Sequence, residues 1–549
     1  MSRSRSAGST AVSAAVLAMV LAACGGRAEG AAGTPAGPEQ RVTGGTVVYA
    51  HQQEPPCVFG GWIEQAYLSQ QVLDALTSLD DKGVAQPWLA QKWSVSPDNL
   101  TWTFTLKPGV TFTDGTPLDA DAVAYNIDYW TKGGNRTASV WLGGYYSKAT
   151  AVDARTVQIQ LSRPYPRLPE TVSQGYFGIQ SKKALQTRSK EDNCTDPIGS
   201  GAFVIQKWTR GQDIVLLRND HWTSWPAVAT HQGPATIEKL DWKFVPDPTT
   251  RVAALRAGEV AAIYDVPAVE WKPLAAQGFA EQNYVTRGRP VQLSFNTRLG
   301  PFTDERVRQA FAWSLDRKAI VTTIGQGHVP YEGNGPVSRS TVGYSQKAAD
   351  SYHLDPAKAN ALLDAAGWTG RDGDGYRTKG GQTLQVVLPY GAGSIVNTDG
   401  ASILQGVQQQ AKATGFKVKL IPVSLSELFA GKYSTPPERD IQVGYWTAVT
   451  AGILYVNWRP GTDGKPSPWN DAYYDSPELW KTILAGNSAL SLDEQNGYYR
   501  QAQDFIAEHA LSIGLYDRLS SLAIGPKLKG VRQEQAQGGP IFSDAYLVK

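Results

Sequence analysis

The segment Leu100-Thr101-Trp102-Thr103-Phe104-Thr105-Leu106 alternates large apolar residues with threonines. Successive side chains of a strand point to opposite faces, so this period of two makes one face apolar, as a half-buried strand requires. The turn-forming sequence Lys107-Pro108-Gly109 follows, and Val110 and Phe112 then predict a second short strand. We therefore expect a strand–turn–strand unit here.

A helix is predicted directly after this unit. Asp114-Gly115-Thr116-Pro117 is a second turn signal, and Asp119 is placed to cap the helix with its carboxylate. Val123, Ile127 and Trp130 fall at i, i+4 and i+7, which puts them on one face of that helix. The passage therefore predicts strand, turn, strand, turn, helix.

Two further helices are predicted in the second half of the chain. One begins at Asp304, and the other is capped by Asp355, with Pro356 at its first position and Gly367 at its end. On the first helix the apolar stripe is Val307, Phe311 and Leu315, and the arginines left to solvent are Arg306, Arg308 and Arg317. Strand candidates are Val157 to Leu161, Leu240 to Phe244, Val291 to Phe295, Leu384 to Leu388 and Ile441 to Tyr445. Strands scattered among helices predict mixed α/β lobes.

Length and charge limit the class of protein. The 549 residues are 42% hydrophobic and 19% charged, a globular composition in a chain too long for one core, so two or three domains are expected. The 52 Lys and Arg against 50 Asp and Glu leave a formal charge of +2, which offers no extended field for nucleic acid. We therefore expect no nucleic-acid partner.

The N-terminus predicts export and a lipid anchor. Arg3 and Arg5 precede an apolar run from Ala11 to Ala23, which suits a signal peptide and is too short to span a bilayer. The run ends in Leu21-Ala22-Ala23-Cys24-Gly25, which resembles the bacterial lipobox, where cleavage precedes a lipid-modified cysteine. The alternative is an ordinary secretory signal with an incidental cysteine.

These signals imply a division of the first residues. We expect 1–23 to be a lipoprotein signal peptide, Cys24 to carry lipid, and 24–43 to be a flexible tether on the outer face of the bacterial cell membrane. Because an exported chain meets an oxidising environment, we also expect a disulfide between the other two cysteines, Cys57 and Cys194. The alternative is two separate buried thiols.

A series of short motifs runs from about Thr46 to the C-terminus. It includes Gln86-Pro87-Trp88-Leu89-Ala90 with Trp93, Asp114-Gly115-Thr116-Pro117-Leu118, Gly199-Ser200-Gly201-Ala202-Phe203, Phe295-Asn296-Thr297, Val307-Arg308-Gln309-Ala310 and Asp372-Gly373-Asp374-Gly375. In this order the motifs resemble the extracellular solute-binding proteins of family 5, the oligopeptide, dipeptide and nickel type.

The resemblance implies an α/β fold of the periplasmic-binding-protein type (type II, cluster C), with two lobes that close on a ligand and an extra domain on the N-terminal lobe. We expect lobe I at 44–80, 198–290 and 511–549, the extra domain at 81–197, and lobe II at 291–510. Lobes joined by crossing segments can hinge around a bound solute.

The function that the resemblance implies is that of a substrate-binding protein of an ABC importer. It would capture a small polar solute and deliver it to the permease and its ATPase subunits. The solute could be peptide-like, sugar-like or a chelate. We expect a monomer with no cofactor and no catalytic residues. The alternatives are an extracellular receptor that senses ligand without transport and an exported sugar-processing enzyme, which would need two facing carboxylates.

The resemblance also places the ligand between the lobes. The implied contacts are Phe59, Trp62, Asn296, Tyr445 and Trp446, with Tyr264, Tyr390, Trp469 and Tyr516 as further candidates. Each of these side chains could instead be ordinary packing.

One position departs from the pattern of the peptide-binding members, which carry an acid shortly after the tryptophan to pair with the peptide's ammonium. Here Val449 stands in that place, and a buried ammonium beside it would lack a counter-charge. The usual peptide mode is therefore in doubt unless Asp440 or another acid substitutes. Arg459 could meet a ligand carboxylate or be a surface arginine.

The sequence predicts no protein-ligated metal and no enzyme. The six histidines show no paired spacing, and neither CxxC nor HExxH occurs. The nucleophile elbow G-x-S-x-G and the phosphate loop G-x-x-x-x-G-K-[ST] are also absent. A metal carried inside a small chelator stays open.

Overall fold

The structure is a computed structural model that describes residues 40–60, 63–134, 136–331, 333, 335–393, 395–424, 427–428, 430–433 and 438–549. The predicted signal peptide, Cys24 and Trp62 lie outside the described residues. Strand Arg41–Val42 pairs antiparallel with Tyr546–Val548. The described part of the chain contains no helix that is long and apolar enough to cross a membrane.

A seven-stranded mixed sheet forms the first lobe. Its strands, in spatial order, are Ala280–Val285, Leu519–Ile524, Ala262–Tyr264, Thr46–His51, Lys239–Phe244, Asp213–Arg218 and Phe203–Thr209. The central strand Thr46–His51 runs parallel to both of its neighbours, and the outer pairs are antiparallel. Sequence-distant segments meet in this sheet, so the lobe forms only when both ends of the chain are in place.

A four-stranded antiparallel sheet forms the extra domain. Its strands, in spatial order, are Ala90–Val95, Thr101–Leu106, Thr156–Leu161 and Tyr146–Asp153. The predicted alternation is confirmed, because Trp102, Phe104 and Leu106 are buried while the threonines between them are half-buried. The predicted cap is also confirmed, since the Asp119 carboxylate accepts a hydrogen bond of 2.9 Å from the Ala122 amide at the start of helix Ala120–Tyr129.

The predicted second strand through Val110 and Phe112 is wrong. This segment makes one isolated bridge, between Thr111 and Pro117. The carboxylate of Asp114 accepts hydrogen bonds from the amide and the hydroxyl of Thr116. The turn therefore closes so tightly that no ladder can extend from it.

The second lobe contains an antiparallel sheet of Ile441–Thr447, Gly288–Phe295 and Ser512–Tyr516, and a parallel pair, Gln385–Gly391 and Lys417–Val423. The predicted helices are confirmed as Glu305–Trp313 and Pro356–Ala365, capped by Asp304 and Asp355. All five predicted strands are present as Thr156–Leu161, Lys239–Phe244, Gly288–Phe295, Gln385–Gly391 and Ile441–Thr447.

Two arginines that were expected to face solvent are buried. Arg308 donates to the carbonyl oxygens of Phe302 and His509, and Arg317 donates to those of Gly514 and Tyr352. The helix period identifies the apolar stripe but cannot show that a neighbouring loop brings carbonyl oxygens to an arginine beside it. The prediction for Arg308 and Arg317 was therefore wrong.

The remaining described helices are Ile63–Val72, Arg136–Leu142, Leu168–Thr171, Lys182–Thr187, Lys190–Thr195, Pro248–Ala257, Ala268–Ala276, Arg317–Gly325, Gln346–Ala349, Thr398–Thr414, Ile453–Asn457, Pro477–Ser488 and Leu492–Glu508, with shorter turns at Trp130–Gly134, Gly175–Phe177 and Pro301–Thr303. The remaining strands are Thr77–Leu79, Ala85–Pro87, Gly370–Arg371, Arg377–Lys379, Gln382–Thr383, Leu528–Lys529, Arg532–Gln533 and Pro540–Ile541.

The chain passes between the lobes at two neighbouring places. Strand Ala280–Val285 of the first lobe is followed directly by Gly288–Phe295 of the second, and Ser512–Tyr516 of the second is followed directly by Leu519–Ile524 of the first. Short crossings of this kind are where a hinge can act. They also place the start of strand Gly288–Phe295 beside the space between the lobes.

Candidate ligand-binding site

A cavity of about 400 Å³ lies between the lobes. From the N-terminal part of the chain it is lined by Pro56, Ile63, Gln65, Thr137 and Tyr176. From the second lobe it is lined by Arg289, Ile395, Gln442, Val443, Gly444, Tyr445, Trp446, Thr447, Pro468, Trp469 and Asp471. Both sides of the molecule contribute, so a molecule held here would contact both lobes at once.

Aromatic rings form one wall of this cavity. The strand Ile441–Thr447 carries Tyr445 and Trp446, and a later loop carries Trp469. The two indole rings meet edge to face, with centroids 5.3 Å apart and planes at 70°. The ring of Tyr445 also lies 4.5 Å from the guanidinium of Arg518. Rigid, amphipathic rings of this kind are common in ligand sites because they offer large contact area at low entropy cost.

An ion pair lies in the same cavity. Nη1 of Arg289 is 2.5 Å from Oδ2 of Asp471, and the side chains are 7% and 19% exposed. Arg289 is the cross-strand neighbour of Trp446, which fixes the guanidinium beside the aromatic wall. These two are the charged residues among the described ones that line the cavity.

Several polar atoms at this wall have no hydrogen-bond partner among the described residues. They are Nε of Arg289, Nε1 of Trp446 and Oγ1 of Thr447, all buried. An unpartnered buried donor costs about 1–3 kcal/mol, so such atoms are uncommon in native proteins. Arg289 and Trp446 therefore each hold an unpaired N–H donor beside the cavity, and Thr447 holds an unpaired hydroxyl.

The structure brings three of the predicted ligand residues together, because Tyr445, Trp446 and Trp469 all line the cavity. Tyr264 lies behind it, where its hydroxyl accepts a hydrogen bond of 2.7 Å from Arg518, and burial raises its pKa. Tyr516 lines a separate cavity of about 40 Å³ beside the hinge. Tyr264 and Tyr516 are therefore adjacent to the main cavity rather than in its wall.

Three other predicted residues do not line the cavity. Phe59 is buried in a hydrophobic core cluster with Val58 and Ile63, and Tyr390 packs against the core of the second lobe. The Asn296 side chain donates to the Arg439 carbonyl and accepts from the amides of Arg298 and Leu299, so its polar atoms serve a turn. Trp62 lies outside the described residues.

The three positions discussed for charge recognition also point elsewhere. Val449 is buried in a small apolar cluster with Leu79 and Ala536. The Asp440 carboxylate accepts a hydrogen bond of 2.7 Å from the Val387 amide, and burial raises its pKa to about 6. Arg459 donates to the Val140 carbonyl at 3.0 Å. Neither Asp440 nor Arg459 lines the cavity.

Sequence reasoning missed Arg289 and Asp471. No hydrophobic period marks either residue, and they are 182 positions apart. The available signal was local: Arg289 lies two positions before the predicted strand Val291 to Phe295, and Asp471 follows the predicted Trp469 by two positions. Their pairing depends on the fold and cannot be read from spacing.

A disulfide borders the site. The sulfur atoms of Cys57 and Cys194 are joined, with Cα atoms 5.0 Å apart. Cys57 follows Pro56, which lines the cavity, and Cys194 lies in helix Lys190–Thr195. The bond therefore ties a cavity-lining loop to the extra domain.

No group of three or more His, Cys, Asp or Glu side chains able to hold a metal occurs among the described residues. The polar groups that line the cavity are instead amides, hydroxyls, an indole N–H and the Arg289–Asp471 pair. Such a set is suited to an organic solute with acceptor groups.

Comparisons with known proteins agree on a single family. The model of the bacterial extracellular solute-binding proteins, family 5, matches residues 84–471. The nickel-binding periplasmic protein of Escherichia coli is 29% identical over 67% of this chain and 68% of its own length. The glutathione-binding protein GsiB of Salmonella paratyphi A is 26% identical over 78% of this chain and 80% of its own length.

A solved structure has the same fold. The oligopeptide-binding protein AppA of Bacillus subtilis, in complex with a nonapeptide, superposes with a TM-score of 0.79 at 22% identity, covering 93% of this chain and 100% of that one. The predicted two-lobe α/β fold is confirmed.

Proposed function

Since the chain belongs to the bacterial extracellular solute-binding proteins of family 5, it is a substrate-binding protein of an ABC importer, and we propose that it holds its solute in the cavity between the lobes. The observation that supports this site is the coincidence of an aromatic wall, an ion pair and unpartnered donors in one space reached from both lobes. Tyr445, Trp446 and Trp469 are the proposed contacts.

The size of the cavity favours a compact ligand. About 400 Å³ lies at the low end of the usual 300–1,000 Å³ for small-molecule sites. The relatives are named for nickel, glutathione and oligopeptides, so their names do not select one class. We propose a polar solute of about dipeptide to tripeptide size. It is peptide-like, sugar-like or a chelate, and the protein delivers it to a permease and its ATPase subunits.

Catalysis is not part of the proposal. A glycosidase needs two carboxylates facing the scissile bond. Among the described residues that line the cavity, Asp471 is the one carboxylate, and it is paired with Arg289. Release of product from any glycoside by the purified protein would contradict this part of the proposal.

The lipid anchor at Cys24, the tether and a monomeric state complete the proposal. Labelling with a radioactive fatty acid tests the anchor, since an unlabelled protein in the membrane-free fraction would exclude it. Titration of the unfolded, unreduced protein should find no free thiol at Cys57 or Cys194.

Thermal unfolding of the chain from residue 25 onward, against peptides, sugars, opine-like compounds and chelates, tests the site. A ligand present at 100 times its Kd stabilises the folded form by about 2.7 kcal/mol. Trp446→Ala should abolish the shift given by any active compound, because it removes the ring at the centre of the wall.

Trp93→Ala is the control for this experiment. Trp93 is a partly buried tryptophan of the extra domain and does not line the cavity. It should lower the baseline stability but leave the ligand-induced shift intact. A shift that survives Trp446→Ala would place the solute elsewhere and overturn the proposed site.

A further inference from the structure

We propose that the ion pair of Arg289 and Asp471 recognises an α-amino-acid head group, in which a carboxylate and an ammonium are carried by one carbon. This inference rests on the proposed function, because it takes the cavity between the lobes to be the site of the solute. It names the ligand class that the family resemblance leaves open.

The first argument is the surplus of donors. A guanidinium has five N–H groups, and among the described residues Arg289 uses one nitrogen, Nη1, on Asp471. Its Nε is buried without a partner, and Nε1 of the neighbouring Trp446 is in the same condition. The guanidinium also lines the cavity, so a carboxylate, with its two acceptor oxygens, can accept hydrogen bonds from N–H groups that Asp471 does not use.

The second argument is charge balance. Arg289 and Asp471 neutralise each other, so the described lining of the cavity has no net charge. A purely anionic or purely cationic ligand would bring one extra buried charge, which is costly in a partly desolvated site. A zwitterion adds a carboxylate for Arg289 and an ammonium for Asp471, and every charge then has an opposite neighbour.

Asp471 has an oxygen atom with which it can bind the ammonium group of the ligand. Its hydrogen bond to Arg289 uses Oδ2, and no described residue donates to its Oδ1. Val449 and Asp440, the positions considered from the sequence, do not face the cavity. Asp471 is therefore the acid that replaces the one missing after the tryptophan.

The third argument is spacing. The paired atoms of Arg289 and Asp471 are 2.5 Å apart, so a compact group that carries both charges can meet both side chains. The ends of an extended α-linked dipeptide or tripeptide are about 7 Å or more apart, which is too far. A free amino acid, an opine-like compound or a γ-linked peptide keeps both charges on one carbon, with the rest of the molecule left to Trp446 and Trp469.

Two isomeric dipeptides test this directly. γ-Glutamyl-phenylalanine carries an intact α-amino-acid head, whereas α-glutamyl-phenylalanine has the same composition but uses that carboxyl in its peptide bond. By isothermal titration we expect the γ-isomer to bind at least about tenfold tighter than the α-isomer, a difference of about 1.4 kcal/mol. N-Acetylation of the γ-isomer should remove binding, because it removes the ammonium that faces Asp471.

Variants of the pair provide the second readout. Arg289→Met and Asp471→Asn should each weaken binding of the γ-isomer by about 30-fold or more, the usual result of truncating one member of a buried charge pair. The matched control is Arg298→Met, which breaks the 2.7 Å pair of Arg298 with Asp475, a partly exposed pair that does not line the cavity. It should leave affinity unchanged, and a thermal unfolding curve shows that each variant is folded.

The inference is overturned if the α-isomer or the N-acetylated form binds as tightly as the γ-isomer, or if Arg289→Met keeps full affinity. Binding of sugars or chelates alone, lost in Trp446→Ala, overturns it too but leaves the proposed site in place. Binding that does not depend on Trp446 overturns the proposed site as well, so the two failures are distinct.

Discussion

Arg251 in the first lobe and Arg289 in the second are both buried, but their guanidinium groups have opposite surroundings. Arg251 donates from all three nitrogens to the carbonyl oxygens of Val245, Pro246, Tyr264 and Asp265, and also to the Asp265 carboxylate. Arg289 makes one hydrogen bond among the described residues, to Asp471, and its Nε is unpartnered. Arg251 is satisfied by the fold, and Arg289 is not.

Two aspartates, Asp74 and Asp471, repeat the contrast. Asp74 accepts hydrogen bonds from the hydroxyls of Ser200 and Ser224 and from the indole of Trp222. Asp471 has one partner, Arg289, and faces a cavity. A buried charge with a full set of partners stabilises a local structure, whereas one with spare hydrogen-bonding capacity in a cavity is available to a ligand.

The largest effect is expected from Arg251→Met. The change leaves four carbonyl groups and the Asp265 carboxylate without their donor, and should lower the free energy of unfolding by about 4 kcal/mol. Urea unfolding followed by circular dichroism measures it. Arg256→Met, on the same helix, is the control, because its pair with Glu270 is partly exposed and should contribute less than about 1 kcal/mol. Equal losses in both variants would contradict the comparison.

A smaller, pH-dependent effect is expected at Asp74. Burial raises the pKa of Asp74 from 3.8 to about 7, against the hydrogen bonds that favour the charged form. Between these values the folded chain holds one proton more than the unfolded chain, so the free energy of unfolding falls as the pH rises from about 4 to about 7.

The contribution of this carboxyl across that window is on the order of 3 kcal/mol. Asp74→Asn should therefore flatten the pH profile of urea unfolding between pH 4 and 7. An unchanged slope in the Asn variant would show that Asp74 is ionised in the folded protein at low pH and that its three donors outweigh its burial.

The smallest effect on stability is expected from the double variant Arg289→Met, Asp471→Asn. It removes both charges together, and replacing a buried pair by neutral groups is often nearly neutral, so the free energy of unfolding should change by less than about 1 kcal/mol. The same urea experiment measures it. A loss as large as that of Arg251→Met would mean that the pair is a structural element like the Arg251 site.

The local elements were largely predictable. The strand Thr101–Leu106 has a period of two, and Asp119, Asp304 and Asp355 all cap the helices that they were expected to begin. Such signals act within a few residues of the chain, so neighbouring sequence contains the information. The strand predicted through Val110 and Phe112 does not form, because the tight turn at Asp114 leaves no room for a ladder with a neighbouring strand.

The candidate site was only partly predictable. Trp446 and Trp469 were identified through the family resemblance, and the structure places both in the cavity. Arg289 was not identified, and Arg308 and Arg317 were wrongly left to solvent, because a charged residue in a sequence gives no sign of the groups that will surround it. Burial of an arginine depends on acceptors brought from distant segments.

The sequence by itself determined the alternating strand, the helix caps and the order of motifs that marks the family, since each is written in contiguous residues. Only the tertiary structure decided which aromatic rings share a cavity and which buried charges have spare capacity. Arg289 and Asp471 are 182 positions apart, and the crossing of the chain between the lobes brings them to 2.5 Å. Long-range contacts of this kind exist only once the chain has folded, because nothing local specifies them.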